Sequence, residues 1–179
     1  RLKKWILPLL LTAAAQPVFS KQSQPIYDIE TQISWLTMRD GTKLSVSYYL
    51  PKSKGLPGTE SHFPVLFEML PYRKDDSFYA RDYGLFSYFV RHGYIVAKVD
   101  VRGTGSSLGR LPDREYSDLE IGDAVEIIRQ LARLPNSTGQ VGMFGISWGG
   151  FNSIITAMEQ PPELKAILAV DASHDLFYD

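Results

Sequence analysis

The sequence predicts an α/β fold, a mostly parallel sheet with helices on both faces. Two observations carry that expectation. Short apolar segments alternate with amphipathic ones along most of the chain, as they do where strands are joined by crossover helices. At one junction, Val141-Gly142-Met143-Phe144-Gly145-Ile146-Ser147-Trp148-Gly149-Gly150, an apolar strand passes through a G-x-S-x-G turn into a helix. Such a turn lifts its serine above the sheet, and side chains at Gly145 and Gly149 are expected to strike neighbouring backbone as the chain reverses.

The first segment to place is a leader. Arg1, Lys3 and Lys4 precede an apolar run over 5–15, and Pro17-Val18-Phe19-Ser20 then opens into polar Lys21-Gln22-Ser23-Gln24. Basic, apolar and small-residue regions in that order predict a secretory signal peptide over 1–20. The run is shorter than the about 20 residues of a membrane-spanning helix, and Pro8 interrupts it. No stable membrane anchor is expected, and the protein is expected to be exported, periplasmic or secreted. Because position 1 is not Met, further residues upstream are expected as well.

Residues 33–38 and 43–50 alternate on either side of Arg39-Asp40-Gly41-Thr42, and Asp-Gly between such segments signals a hairpin. A surface loop is expected over 51–63, then a buried strand over 64–70 and a helix over 82–92 closed by Gly93. A strand over 94–101 leads to a Gly- and Ser-rich loop. In 115–134, Ile121, Ala124, Val125, Ile128, Leu131 and Ala132 share one helical face, and Pro135-Asn136 stops the helix. Strand 140–144, the G-x-S-x-G turn, a helix over 148–159 ending before Pro161-Pro162, and strand 164–170 complete the order β-β-β-α-β-α-β-α-β.

Composition excludes several classes. Lys and Arg number 19 against 20 Asp and Glu, so no basic field draws the protein to nucleic acid or an anionic membrane. There is no Cys, which removes disulfides, thiolate chemistry and Cys-type zinc sites. His62, His92 and His174 have no metal-ligand spacing; His92 suits a helix end and His62 a solvated loop. The loop Gly103-Thr104-Gly105-Ser106-Ser107-Leu108-Gly109 has Leu108 where a dinucleotide loop needs its third glycine, and no G-K-[ST] ending. It reads as a structural turn, shaped by an ion pair between Asp100 and Arg102. No cofactor or metal is expected. Asn136-Ser137-Thr138 matches a glycosylation acceptor in a surface turn.

A serine is a weak nucleophile until a histidine takes its proton and a carboxylate orients that histidine. In the α/β-hydrolase fold the chain order is Ser, acid, His. Asp171 and His174 follow Ser147 in that order, and their closeness on one short loop suits a relay poorly. The acid and base, with the last strands of the sheet, are therefore expected beyond residue 179, and the 179-residue chain alone is expected to be inactive. The developing oxyanion needs donors. The Trp148 backbone N–H is the first candidate. The second should come from the loop after strand 64–70, where Pro71 has no N–H and the Tyr72 hydroxyl is the best substitute, unless Tyr72 is only a packing aromatic. Asp75 or Asp76 could meet a substrate ammonium or stand as solvated loop carboxylates.

Four segments together carry a resemblance. Met38-Arg39-Asp40-Gly41-Thr42-Lys43-Leu44, Pro71-Tyr72-Arg73-Lys74, Asp100-Val101-Arg102-Gly103-Thr104-Gly105-Ser106 and the Ser147 turn resemble the X-prolyl dipeptidyl-peptidase and cocaine-esterase family of serine hydrolases. That family also holds α-amino-acid ester hydrolases and cephalosporin acylases. The resemblance implies attack on an ester, amide or short-peptide carbonyl through an acyl-enzyme, with Ser147 as nucleophile and the Tyr72 hydroxyl and Trp148 backbone N–H as oxyanion hole. It also implies that residues 21–179 are the N-terminal portion of an α/β-hydrolase catalytic domain, truncated before a helical cap, the catalytic Asp and His, and a C-terminal β domain. Oligomerisation would belong to the full-length protein. Two alternatives stay open. A generic carboxylesterase or lipase predicts a His-Gly-Gly loop where this chain has Pro71-Tyr72, and a non-catalytic binding protein would keep the fold without the histidine.

Overall fold

The computed structural model describes residues 26–53, 61–76 and 78–175. The signal peptide expected at 1–20 lies outside them. The elements are β1 (Tyr27–Thr37), β2 (Lys43–Ser53), β3 (Phe63–Leu70), α1 (Phe78–Arg91), β4 (Ile95–Asp100), α2 (Asp118–Ala132), β5 (Ser137–Ile146), α3 (Trp148–Met158) and β6 (Leu164–Val170), in the order the sequence predicts. They form one six-stranded sheet in the order β1-β2-β4-β3-β5-β6. β4, β3, β5 and β6 are parallel, whereas β2 runs antiparallel to both β1 and β4. The sheet is thus mixed, with its parallel part where crossover helices join the strands.

The opening hairpin turns on Asp40 and Gly41. Asp40 Oδ1 accepts the Thr42 N–H at 3.0 Å, and Gly41 sits at φ +81°, where a Cβ is unfavourable. The strands run further than expected. β2 continues through Pro51 to Ser53 where a loop was expected from residue 51, and Pro51 stands opposite Ile29 of β1. Beyond Tyr49, β2 no longer pairs with β4, so the missing Pro51 N–H costs no bond on that side. Residues 54–60 of the expected loop lie outside the described residues.

The sheet buries both faces. On one, Ala124, Ile127, Ile128 and Leu131 of α2 pack on Val65, Phe67, Met69, Ala97, Val99, Val141 and Met143. On the other, Phe86 and Val90 of α1 meet Tyr49, Val96 and Phe144. Each fully buried Leu, Ile or Phe contributes about 1.5–3 kcal/mol. The α1 face also carries charge, because Lys98 reaches Glu68 at 3.1 Å and Asp82 at 2.9 Å over the Phe86 ring. Helix α1 begins upstream of residue 82, and α2 is shorter than 115–134. Ser117 caps α2 by accepting the Glu120 N–H at 3.3 Å, which fixes its start. The buried face of α2 is also wider than its aliphatic stripe, for it includes Ile127, Glu120 and Asp123; Val125 and Ala132 are only partly buried.

Candidate active site

The carboxyl ends of β3, β4 and β5 point the same way, because these strands are parallel and Leu70 lies opposite Asp100. The loops that follow them, 71–76 and 101–117, and the turn at Ser147 gather at that edge, where α/β sheets place their sites. Ser147 is the hinge between β5 and α3. Its N–H donates to Val170 O at 2.9 Å and its carbonyl accepts from Phe151 N at 2.9 Å, so the sheet ladder and the helix ladder meet at one residue. The consequence is a backbone at φ +53°, ψ −113°, a region that costs a non-glycine residue on the order of 1–3 kcal/mol. Ser147 is exposed, and its hydroxyl makes no hydrogen bond among the described residues.

Glycine lets the turn close, though not at both expected positions. A Cβ on Gly145 would lie 2.6 Å from the Gly149 backbone, as the sequence reading requires. On Gly149 its one tight neighbour would be the Leu70 side chain, at 3.1 Å, with the Phe144 carbonyl at an ordinary 3.8 Å, whereas on Gly150 it would lie 2.7 Å from Val170 O. The backbone collision belongs to Gly150 because β6 ends against the first turn of α3.

Trp148 follows Ser147 and is gripped on three sides. Its indole N–H donates to Glu120 Oε1 at 2.8 Å, the Tyr116 ring lies 5.0 Å away, and Tyr72 stands edge-on at 6.3 Å with an interplanar angle of 76°. The structure therefore brings Tyr72, Trp148 and Ser147 into one cluster. Tyr72 is 43% exposed, less packed than a core aromatic. Glu120 is 1% exposed and also accepts the Asn152 amide at 3.1 Å and the Tyr116 N–H at 3.1 Å. Burial raises its carboxyl above the ordinary 4.5, outweighing the lowering by the Trp148 and Tyr116 bonds. Sequence reasoning missed Glu120. Ser117-x-x-Glu120 is a capping-box pattern, but that pattern does not disclose a carboxylate turned toward α3.

The expected Asp100–Arg102 ion pair does not form. Arg102 instead forks onto Asp123, with its Nε at 2.8 Å and Nη2 at 2.7 Å, and reaches Asp40 at 2.6 Å and Thr42 at 2.7 Å through Nη1. These carboxylates raise the guanidinium pKa, with Asp123 the larger cause. Asp100 turns the other way and accepts backbone N–H groups, Lys74 at 2.7 Å and Ser106 at 3.0 Å. A guanidinium finds a bidentate carboxylate on α2, and a buried carboxylate at a strand end finds loop amides. Asp75 pairs with Lys74 and accepts from Ser47, and Asp76 pairs with Arg73 at 2.6 Å, so both loop carboxylates already hold cationic neighbours. Asp171 and His174 are exposed at the end of β6, and neither is hydrogen-bonded to Ser147. His92 is a helix-end residue, its Nδ1 2.5 Å from Tyr88 O, and His62 is exposed.

The family model described as X-Pro dipeptidyl-peptidase (S15 family) matches residues 40–179, well over half of the chain. The chain belongs to the S15 family. One relative, the cocaine esterase of Rhodococcus sp., is 34% identical over 141 residues, covering 78% of this chain and 23% of that protein. A CocE/NonD family hydrolase from Staphylococcus aureus superposes with a TM-score of 0.63 at 28% identity, covering 78% of this chain and 26% of that one. An α-amino acid ester hydrolase superposes with a TM-score of 0.61 at 27% identity, covering 90% and 28%. The fold is that of the α/β-hydrolases, and S15 membership places the protein in a hydrolase and esterase family. The chain spans about a quarter of the length of the curated relatives it matches.

Proposed function

We propose that the protein is a serine hydrolase that cleaves an ester or amide bond of a small molecule or short peptide through an acyl-enzyme. The observation that carries this reading is Ser147, exposed at a strained φ of +53° between β5 and α3. A strained, solvent-facing serine is poorly explained by packing and well explained by chemistry. Ser147 Oγ attacks the substrate carbonyl and loses its proton to a histidine. The Trp148 backbone N–H and the Tyr72 hydroxyl donate to the oxygen as negative charge builds on it. The leaving group departs protonated, and water then repeats the addition to release the acid. In this reading the histidine and its carboxylate come from the part of the relatives' length that this chain does not cover, and residues 1–179 alone turn over little substrate. The same reading has the protein exported, which the basic, apolar and small-residue order expected of a signal peptide over 1–20 supports.

The test is labelling by a fluorophosphonate of the protein expressed from its complete reading frame. Ser147 should carry the label, and Ser147→Ala should abolish both labelling and ester turnover. Persistent labelling in that variant would remove Ser147 from the role. A folded wild type that takes no label and hydrolyses nothing would favour a binding protein on the same fold.

A further inference from the structure

We infer that Asp100 is the positioning residue that holds the Tyr72 hydroxyl at the oxyanion; this rests on the role proposed above for Tyr72. The loop carrying Tyr72 is fastened at both ends to two consecutive residues. At its start, Leu70 O accepts the Val101 N–H at 3.1 Å. At its end, the Lys74 N–H donates to Asp100 Oδ1 at 2.7 Å. Between these anchors lie only Pro71, Tyr72 and Arg73. Pro71 has a fixed φ and no N–H, and Arg73 is forced to φ +63°. Three residues with two such restrictions leave Tyr72 little freedom other than its side-chain torsions.

The second carboxylate oxygen is as firmly used. Asp100 Oδ2 accepts the Ser106 N–H at 3.0 Å, and Asp100 O accepts from Ser107 Oγ at 2.7 Å. Asp100 is 1% exposed and Lys74 is buried beside it, so a Lys74 N–H that it left unmet would go unsatisfied in the interior. Gly105 lies over the same group, where a Cβ would come 2.3–2.6 Å from the carboxylate atoms. The Gly-rich loop after β4 is thus wrapped around the carboxylate that fastens the Tyr72 loop. Among the described residues the Asp100 carboxylate is met by amides rather than by a cation, while Arg102 turns away to Asp123.

The experiment is a double-mutant cycle on the protein expressed from its complete reading frame, assayed with a p-nitrophenyl ester. Asp100→Asn puts an amide N–H against a backbone N–H at one of its two oxygens. It should lower kcat by about 10- to 100-fold with KM changed by only a few-fold, the scale on which small misplacements act. In a Tyr72→Phe background the same substitution should lower kcat by no more than about 3-fold, because the group it positions is already gone. Should Asp100→Asn not fold, Gly105→Ala presses a Cβ onto the same carboxylate and enters the same cycle. Penalties that multiply in full on Tyr72→Phe, or a folded Asp100→Asn enzyme with unchanged kcat, would overturn the assignment while leaving Tyr72 in its role. A Tyr72→Phe enzyme with wild-type kcat would remove both readings.

Discussion

Glu120 Oε1 receives the Trp148 indole N–H at 2.8 Å, which ties the first turn of α2 to the residue directly after Ser147. The same oxygen takes the Asn152 amide one turn further along α3, and Oε2 takes the Tyr116 N–H. A single buried carboxylate therefore sets how α3 leaves the strained turn.

Glu120→Gln retains one acceptor and points an amide N–H at a donor. The substitution should destabilise the fold by about 1–3 kcal/mol, the cost of a buried group left unsatisfied. The pH dependence has a defined sign. Burial raises the Glu120 carboxyl above its ordinary 4.5, so the folded chain binds that proton more tightly than the unfolded chain does. Its contribution to stability is full below 4.5 and is lost as pH rises through the raised folded value. Urea unfolding at a series of pH values should show the wild type losing ground relative to Glu120→Gln across that window. Parallel curves would mean that Glu120 titrates at its ordinary value.

Gly145→Ala and Gly149→Ala should separate, although both alter the same G-x-S-x-G turn. The Gly145 Cβ meets backbone at 2.6 Å, and the Gly149 Cβ meets the end of the Leu70 side chain at 3.1 Å. Backbone cannot yield without opening the turn, whereas a leucine methyl can rotate. Overpacking at Gly145 should cost about 1–3 kcal/mol or more, and at Gly149 under about 1.5 kcal/mol. Thermal melts of the two variants give the comparison, and equal losses would contradict the geometry.

Elements were legible in the sequence where one local signal dominated. The Asp40-Gly41 turn, the apolar strands and the strand-turn-helix at Ser147 needed no tertiary information, and the order of the nine elements among the described residues follows from them. Length and charge partners were not legible. β2 extends through Pro51 because β1 lies beside it, a partner that no local window contains. Arg102 and Asp100 stand two residues apart and attract on paper, yet the fold offers Arg102 the fork of Asp123, 21 residues away, and offers Asp100 two amides. Glu120 and Asp123 sit on a buried helix face that a hydrophobic stripe predicts to be aliphatic. Polar burial depends on partners, and periodicity is blind to partners.

Arg102→Lys tests that fork. Lysine offers one point charge where the guanidinium makes two parallel bonds to Asp123 and bonds to Asp40 and Thr42. With Asp123 also buried, the loss should be on the order of 3 kcal/mol. Asp40 supplies a pH signature at the same site. Its hydrogen bonds to Arg102 and to the Thr42 N–H draw its carboxyl from 3.8 down to about 2. The stability it contributes is therefore present above 3.8 and lost as pH falls toward 2. The advantage of wild type over Asp40→Asn should shrink across that interval, and an advantage that persists at pH 2 would sink the assignment.

Tyr72→Phe in the protein expressed from its complete reading frame separates the two roles open to this aromatic. The ring remains against Trp148, 6.3 Å away, so packing is conserved and only the hydroxyl is lost. If that hydroxyl donates to the oxyanion, the interaction exists chiefly in the transition state, and its removal lowers kcat far more than it raises KM. Loss of one such donor typically costs about 10²- to 10³-fold in kcat, or about 3–4 kcal/mol. A packing aromatic behaves otherwise, with kcat within a few-fold of wild type and at most a shift in melting temperature. The exposure of Tyr72, at 43%, makes a large stability change the less expected result. Kinetics and a melt on the same preparation decide the matter, and an unchanged kcat would place the second oxyanion donor elsewhere in the Arg73–Asp76 turn.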